Sequence, residues 1–177
     1  MNLEKQTFRS SKVLRHTLGT DPKKDVVIYE EKDPKFSVSI GKSKSKEYIF
    51  LNTSSSTSSE TWFLRTANPK GQFTVVHPRE KGHLYEVYHH KNQFYIITNK
   101  NAINNKIVTV GTDNISKGKW TTLIPHQTGV LLEGIAIFDK YLVINEKENA
   151  QSRIKICLLY TSPSPRDATL SRMPSSA

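Results

Sequence analysis

Three apolar strand signals recur along this chain at almost constant spacing. Val38, Val87 and Ile137 stand 49 and then 50 residues apart in matching apolar runs. Each is followed, after a short polar turn, by a second run: Tyr48-Ile49-Phe50-Leu51, Phe94-Tyr95-Ile96-Ile97 and Tyr141-Leu142-Val143-Ile144. These second runs are apolar at consecutive positions, so they read as strands covered on both faces rather than on one. Third and fourth strand signals follow in the first two units. A period of roughly 40 to 50 residues with about four strands per unit is the pattern of a β-propeller, in which each sheet is a blade stacked on its neighbours. A solenoid repeat would be shorter or helical.

The remaining segments agree with an all-β chain. Strands are predicted at 13–18, 26–30, 36–40, 48–51, 61–65, 73–77, 84–89, 94–98, 106–110, 120–124, 131–138, 141–145 and 153–156. Turn residues separate them, as in Gly19-Thr20-Asp21-Pro22, Gly41 to Lys46, Asn68-Pro69-Lys70-Gly71 and Lys91-Asn92. The expected architecture is a partial propeller of about three to four four-stranded antiparallel blades. Residues 1–32 supply the outer strands of one blade, 36–79 a whole blade, 84–126 another and 131–156 the start of a fourth. On this reading the chain begins and ends mid-ring, which leaves blade faces uncovered and makes the isolated chain marginally stable and prone to associate.

Residues 157–177 have a different texture, CLLYTSPSPRDATLSRMPSSA, with three of the eight prolines and neither strand nor helix periodicity. Back-translated, Cys157 to Asp167 and Ser171 to Ala177 resemble a transposon-type sequencing-library adapter, with Ala168 to Leu170 where a sample index would sit. Residues 1–156 are therefore expected to be the propeller part and 157–177 a disordered, adapter-derived tail. Lys and Arg exceed Asp and Glu by 26 to 16 over the whole chain, and by 24 to 15 without the tail, so the basic balance belongs to the propeller part.

Several chemistries find no support in the residues. The single cysteine, Cys157, excludes a disulfide framework and a cysteine-based zinc site. His89-His90 is the only close histidine pair, and adjacent strand residues point to opposite faces, so no metal is expected. Neither Gly-x-Gly-x-x-Gly nor a Walker-type loop occurs, so no nucleotide cofactor is expected. Gly-x-Ser-x-Gly is absent, and the serines of Asn52 to Ser59 read as a low-complexity loop, so no catalytic residue is assigned. No apolar run approaches the roughly 20 residues of a membrane span, and no secretory segment follows Met1. The expected compartment is cytoplasmic, with the periplasm as alternative because Met1 can be an internal methionine of a longer frame.

Two charge clusters stand out. Lys42, Lys44 and Lys46 alternate in one hairpin and Lys23-Lys24 sit in another, a pattern that suits nucleic acid but suits solvated loop tips and blunted edges better, so no nucleic acid is expected. Glu30, Glu31 and Asp33 lie in the connection from the outer strand of one blade to the inner strand of the next. They are the candidate site residues, for steering a cationic ligand or for interdomain ion pairs.

A set of segments in order then carries a resemblance. Arg15-His16-Thr17-Leu18-Gly19-Thr20-Asp21 and Val27-Ile28-Tyr29-Glu30-Glu31-Lys32-Asp33 are followed by Phe36-Ser37-Val38-Ser39, Ser56-Thr57-Ser58-Ser59-Glu60, Asn68-Pro69, Pro78-Arg79 and Tyr88-His89-His90. Phe94 to Asn99 and Leu131-Leu132-Glu133-Gly134 complete the set. Together they resemble the oligopeptidase B group of the prolyl oligopeptidase family of serine peptidases. The resemblance implies a seven-bladed propeller capping an α/β-hydrolase domain that cleaves short peptides after Arg or Lys with a Ser-Asp-His triad. None of the triad residues has a counterpart in this chain. The implied partners are short basic peptides and the hydrolase domain, and the chain alone is expected to be inactive. A non-catalytic propeller scaffold and, less favoured, a basic nucleic-acid-binding β protein are the alternatives.

Overall fold

The computed structural model describes residues 9–159. Thirteen strands form four antiparallel sheets in chain order. The first sheet pairs β1 (Lys12–Arg15) with β2 (Val26–Glu30). The second is a meander of β3 (Ser37–Lys42), β4 (Tyr48–Ser54), β5 (Ser59–Arg65) and β6 (Thr74–His77). The third repeats it with β7 (Tyr85–His90), β8 (Gln93–Thr98), β9 (Lys106–Gly111) and β10 (Thr121–Ile124). The fourth holds β11 (Val130–Ile137), β12 (Tyr141–Glu148) and β13 (Gln151–Leu158). Two short 3-10 turns, Pro22–Lys24 and Thr112–Lys117, are the helical elements among the described residues.

Every predicted strand has a counterpart, and the differences lie at the ends. β1 stops at Arg15 because Thr17 to Thr20 close a turn that leaves Leu18 exposed. β12 and β13 run longer than expected, because a two-residue turn, Asn149 and Ala150 at φ 50° and 62°, lets them pair from Tyr141↔Leu158 to Glu148↔Gln151. Two positive φ values in a two-residue hairpin give a twist that matches the strands it joins. β13 thus continues through Cys157 and Leu158, beyond the expected boundary at 156, and residues 160–177 lie outside the described residues. The serine run is only in part a loop: Thr53 and Ser54 end β4, and Ser59 opens β5.

The apolar pattern of the second strand in each unit builds the core between blades. In β4, Tyr48 and Phe50 face the third sheet while Leu51, beside Val38 of β3, faces the first and meets Val13. In β8, Phe94 and Ile96 turn back to the second sheet, and Tyr95 and Ile97 turn forward to Leu132, Ile135, Leu142 and Ile144 of the fourth. Successive side chains of a strand point to opposite faces, so a run of consecutive apolar residues serves two interfaces at once. The outward faces of the end sheets also carry apolar residues, Leu14 and Val27 on the first, Ile154 and Ile156 on the last, each at least half exposed.

Candidate functional site

The outer-to-inner connections, 31–36 after β2 and 78–84 after β6, lie side by side, and they hold most of the buried charge of the described residues. Glu31 is 8% exposed and its Oε2 accepts from the Arg79 guanidinium at 2.5 Å. The same carboxylate accepts from the Asp33 amide at 2.9 Å and the Tyr29 hydroxyl at 3.1 Å. Arg79 also donates to Thr53 Oγ1 at 3.0 Å, and its backbone N–H donates to Glu60 Oε1 at 3.1 Å. Its guanidinium lies over the Phe36 ring, 3.5 Å from the centroid. Burial alone would raise the Glu31 carboxyl, but Arg79, the Asp33 amide and the Tyr29 hydroxyl together hold it below its ordinary value.

This separates the three acidic residues singled out from the sequence. Glu31 is turned inward and pairs two consecutive connections. Glu30, on β2, faces solvent and pairs with Lys12 at 3.1 Å. Asp33 is half-buried and its Oδ1 accepts from the Lys35 amide at 2.9 Å. Arg79, which gives Glu31 its partner, was missed from the sequence because it stands 48 residues away. The signal was there in the period: 48 residues is about one blade, and Arg65–Asp113 and Lys91–Asp139 are ion pairs at the same separation.

The second connection carries a further cluster between the second and third sheets. His77 Nε2, Glu80 and His83 Nδ1 offer three ligand-type atoms within 4.8 Å of one another. Lys100, just after β8, reaches Glu80 Oε1 at 2.9 Å and His77 Nε2 at 3.2 Å. His83 is 4% exposed, bonded through Nε2 to Thr98 Oγ1 at 2.8 Å, with Tyr85 and Trp120 against its ring. Burial first, and then the nearby His77, depress its pKa to about 4, against a smaller opposing effect of Glu80.

A pH dependence follows. The unfolded imidazole takes up its proton near its ordinary 6.5 and the folded one only near 4, so between these values the unfolded state binds more protons and stability falls as the pH drops. The contribution is complete above 6.5 and reaches up to about 3 kcal/mol. Glu31, held below its ordinary 4.5, extends the loss further into acid. Denaturant midpoints measured from pH 7.5 to 4 should fall in the chain and fall less in His83→Gln. An identical slope in the variant would remove His83 as the cause.

At the other ends of the strands, the β3–β4 turn meets the fourth sheet. Lys44 Nζ donates to the Ile137 carbonyl at 2.9 Å and lies over the Phe138 ring, 3.6 Å from its centroid. Beside it opens a groove of about 660 Å³, lined by Lys42, Phe50, Val87, His89 and Phe138 among others. Ser45 Oγ lies 2.7 Å from His89 Nδ1, but the buried His89 Nε2 has no partner, so no carboxylate orients the ring for base catalysis. The contact fastens the turn to β7. The alternating lysines of this hairpin thus divide: Lys44 meets a carbonyl and a ring at the end of β11 in the fourth sheet, and Lys46 takes the positive φ of 65° at the turn.

Four-strand meanders, stacked through two-faced second strands and tied by charges one period apart, define a β-propeller of the type that joins blades edge to centre. A sequence model described as the prolyl oligopeptidase N-terminal β-propeller domain matches residues 2–176. The chain belongs to this family, as the ordered segments of its sequence implied.

Relatives and solved structures agree. Dipeptidyl aminopeptidase BI of Pseudoxanthomonas mexicana is 36% identical over 152 residues, which is 85% of this chain and 21% of that protein. Protease 2 of Moraxella lacunata is 32% identical over 82% of this chain and 21% of its own length. Oligopeptidase B from Trypanosoma brucei, in a closed form with covalently bound antipain, superposes with a TM-score of 0.78 at 32% identity, covering 86% of this chain and 22% of that one. Oligopeptidase B from Leishmania major gives a TM-score of 0.80 at 29% identity. The chain spans about a fifth of the length of each of these proteins.

Proposed function

We propose that this chain is the substrate-gating part of a serine-type oligopeptidase that cleaves short peptides after Arg or Lys. The observation that carries the reading is the likeness, over most of the chain, to oligopeptidase B structures, one of them with covalently bound antipain. In the whole enzyme a serine attacks the peptide carbonyl, a histidine acts as general base and an oxyanion hole holds the tetrahedral intermediate. Those groups belong to a hydrolase domain, this chain's partner. The propeller excludes folded proteins by sterics, and the apolar outward faces of its end sheets suit further blades.

Within this reading, Glu31 keeps two connections in register through Arg79, while Glu30 and Asp33 present charge towards a basic peptide or the hydrolase domain. Reversing Glu30 and Asp33 to lysine in the full-length peptidase should lower kcat/KM for an arginyl peptide several-fold at low salt and less at high salt, because exposed charges are screened. Glu31 is left intact in this test, since its reversal would unfold the connection. Unchanged kinetics at both salt concentrations would remove the steering role. Equal turnover of arginyl, lysyl and neutral peptides by the unaltered peptidase would overturn the specificity.

A further inference from the structure

We infer that His77, Glu80 and His83 form a binding site for a divalent transition-metal ion of the Zn²⁺ class, with Lys100 as the internal cation that the metal displaces. The site goes beyond the peptidase reading and does not depend on it. His77 ends β6 and Glu80 and His83 follow in the connection, one histidine three residues to each side of Glu80, and their candidate ligand atoms lie within 4.8 Å of one another. His77 Nε2 is 3.4 Å and His83 Nδ1 4.0 Å from Glu80 oxygens. Zinc held by nitrogen and oxygen at about 2.0–2.1 Å in a tetrahedron needs ligand atoms about 3.4 Å apart. The first separation, to Oε1, matches; the second, to Oε2, is longer and requires the exposed glutamate to turn.

Two features point to a cation and not merely to a polar turn. The His83 ring is 96% buried by its 4% exposure, and its Nδ1 has no hydrogen-bond partner although it lies on the cluster side of the ring. A buried unpaired nitrogen is costly, and a metal would satisfy it. The second feature is Lys100, whose ammonium already bridges Glu80 Oε1 and His77 Nε2, the place a cation would take. Its side chain is 38% exposed, so it can swing to water.

The outer contacts fit as well. His77 Nδ1 is 2.8 Å from the Pro78 carbonyl, which can only accept, so that nitrogen carries the proton and Nε2 offers its lone pair. His83 Nε2 lies 2.8 Å from Thr98 Oγ1, a hydroxyl that can accept, and in the tautomer with the proton on Nε2 the ring offers Nδ1 as the ligand atom. Two imidazoles and one carboxylate make a three-ligand set with room for a fourth, the donor class that suits zinc and its first-row neighbours rather than calcium or magnesium. The sequence expectation of no metal rested on His89-His90, which do point to different surroundings, and overlooked the His77-x-x-Glu80-x-x-His83 spacing.

The test is a Zn²⁺ titration of the full chain against a chromogenic chelator near neutral pH, with Co²⁺ absorption as a second readout of ligand type. Lys100→Met should bind Zn²⁺ at least about tenfold more tightly, since it removes a unit charge within contact distance of the ligands. His77→Gln and Glu80→Gln should each weaken binding about tenfold or more. The gain in Lys100→Met is a result that misfolding cannot imitate. Binding that Lys100→Met leaves unchanged or weakens, or that survives both His77→Gln and Glu80→Gln, overturns the proposal, as does failure of both the chain and Lys100→Met to bind.

Discussion

Replacing Arg79 by methionine is expected to destabilise the chain by about 3–5 kcal/mol, the range for breaking a buried ion pair from one side. The cost is not the lost attraction alone. Glu31 stays behind at 8% exposure with only the Asp33 amide and the Tyr29 hydroxyl, and a carboxylate so placed must either remain charged without its cation or take up a proton. The guanidinium also covers the Phe36 ring and donates to Thr53, and methionine replaces only the packing. Because the penalty resides in the stranded charge, Glu31→Gln combined with Arg79→Met should cost less than Arg79→Met alone. Thermal melting of the chain and the two variants reads this directly. Equal losses in the single and double variants would show that Arg79 acts through packing rather than through Glu31.

Phe94→Ala should be equally damaging, at about 3–5 kcal/mol. Phe94 has no exposed surface and stands where the second and third sheets meet. Its ring lies 5.1 Å from Tyr48, 5.0 Å from Phe63 and 5.9 Å from Phe50, in tilted or edge-on contacts. Truncation removes the transfer free energy of the ring and opens a cavity between sheets whose own hydrogen bonding prevents collapse. Phe94→Leu should lose much less, and Ile103→Ala, at a position 87% exposed, should change stability by under about 0.5 kcal/mol. Denaturant unfolding distinguishes them. A small effect at Phe94 would mean that the two blades are not held by this cluster.

The two variants probe different parts of one design. Phe94 acts between whole sheets, whereas Arg79 acts between connections, and neither contact involves residues near in sequence. Tyr85 links the two regions, its hydroxyl donating to the His77 carbonyl at 2.6 Å and accepting from the Thr61 amide at 2.8 Å. Ser59 adds a cross-blade bond to Tyr85, so residues that look like low-complexity serine in the sequence staple the start of β5 to β7.

The sequence by itself determined the blades. Consecutive apolar residues in Tyr48 to Leu51 and Phe94 to Ile97 require strands covered on both faces, and the recurrence of the pattern about every 50 residues, again at Leu142 to Ile144, requires stacked sheets; in β12 the described residues cover mainly the face of Leu142 and Ile144. Alternation is a local property, so burial on one face or two can be read from neighbours in the chain. The acidic connection at 30–33 was also legible as a place where charge gathers. What only the tertiary structure decided is which charges are spent. Glu31 finds Arg79 one blade later, Lys44 finds Ile137 two blades later, and His77 and Glu80 meet Lys100 from the next sheet. Stacking sets residues a blade apart in contact, and the direction in which each side chain turns depends on the packing of both blades at once. That is why three carboxylates that look alike in the sequence separate into the buried clasp of Glu31, the half-buried Asp33 and the exposed Glu30.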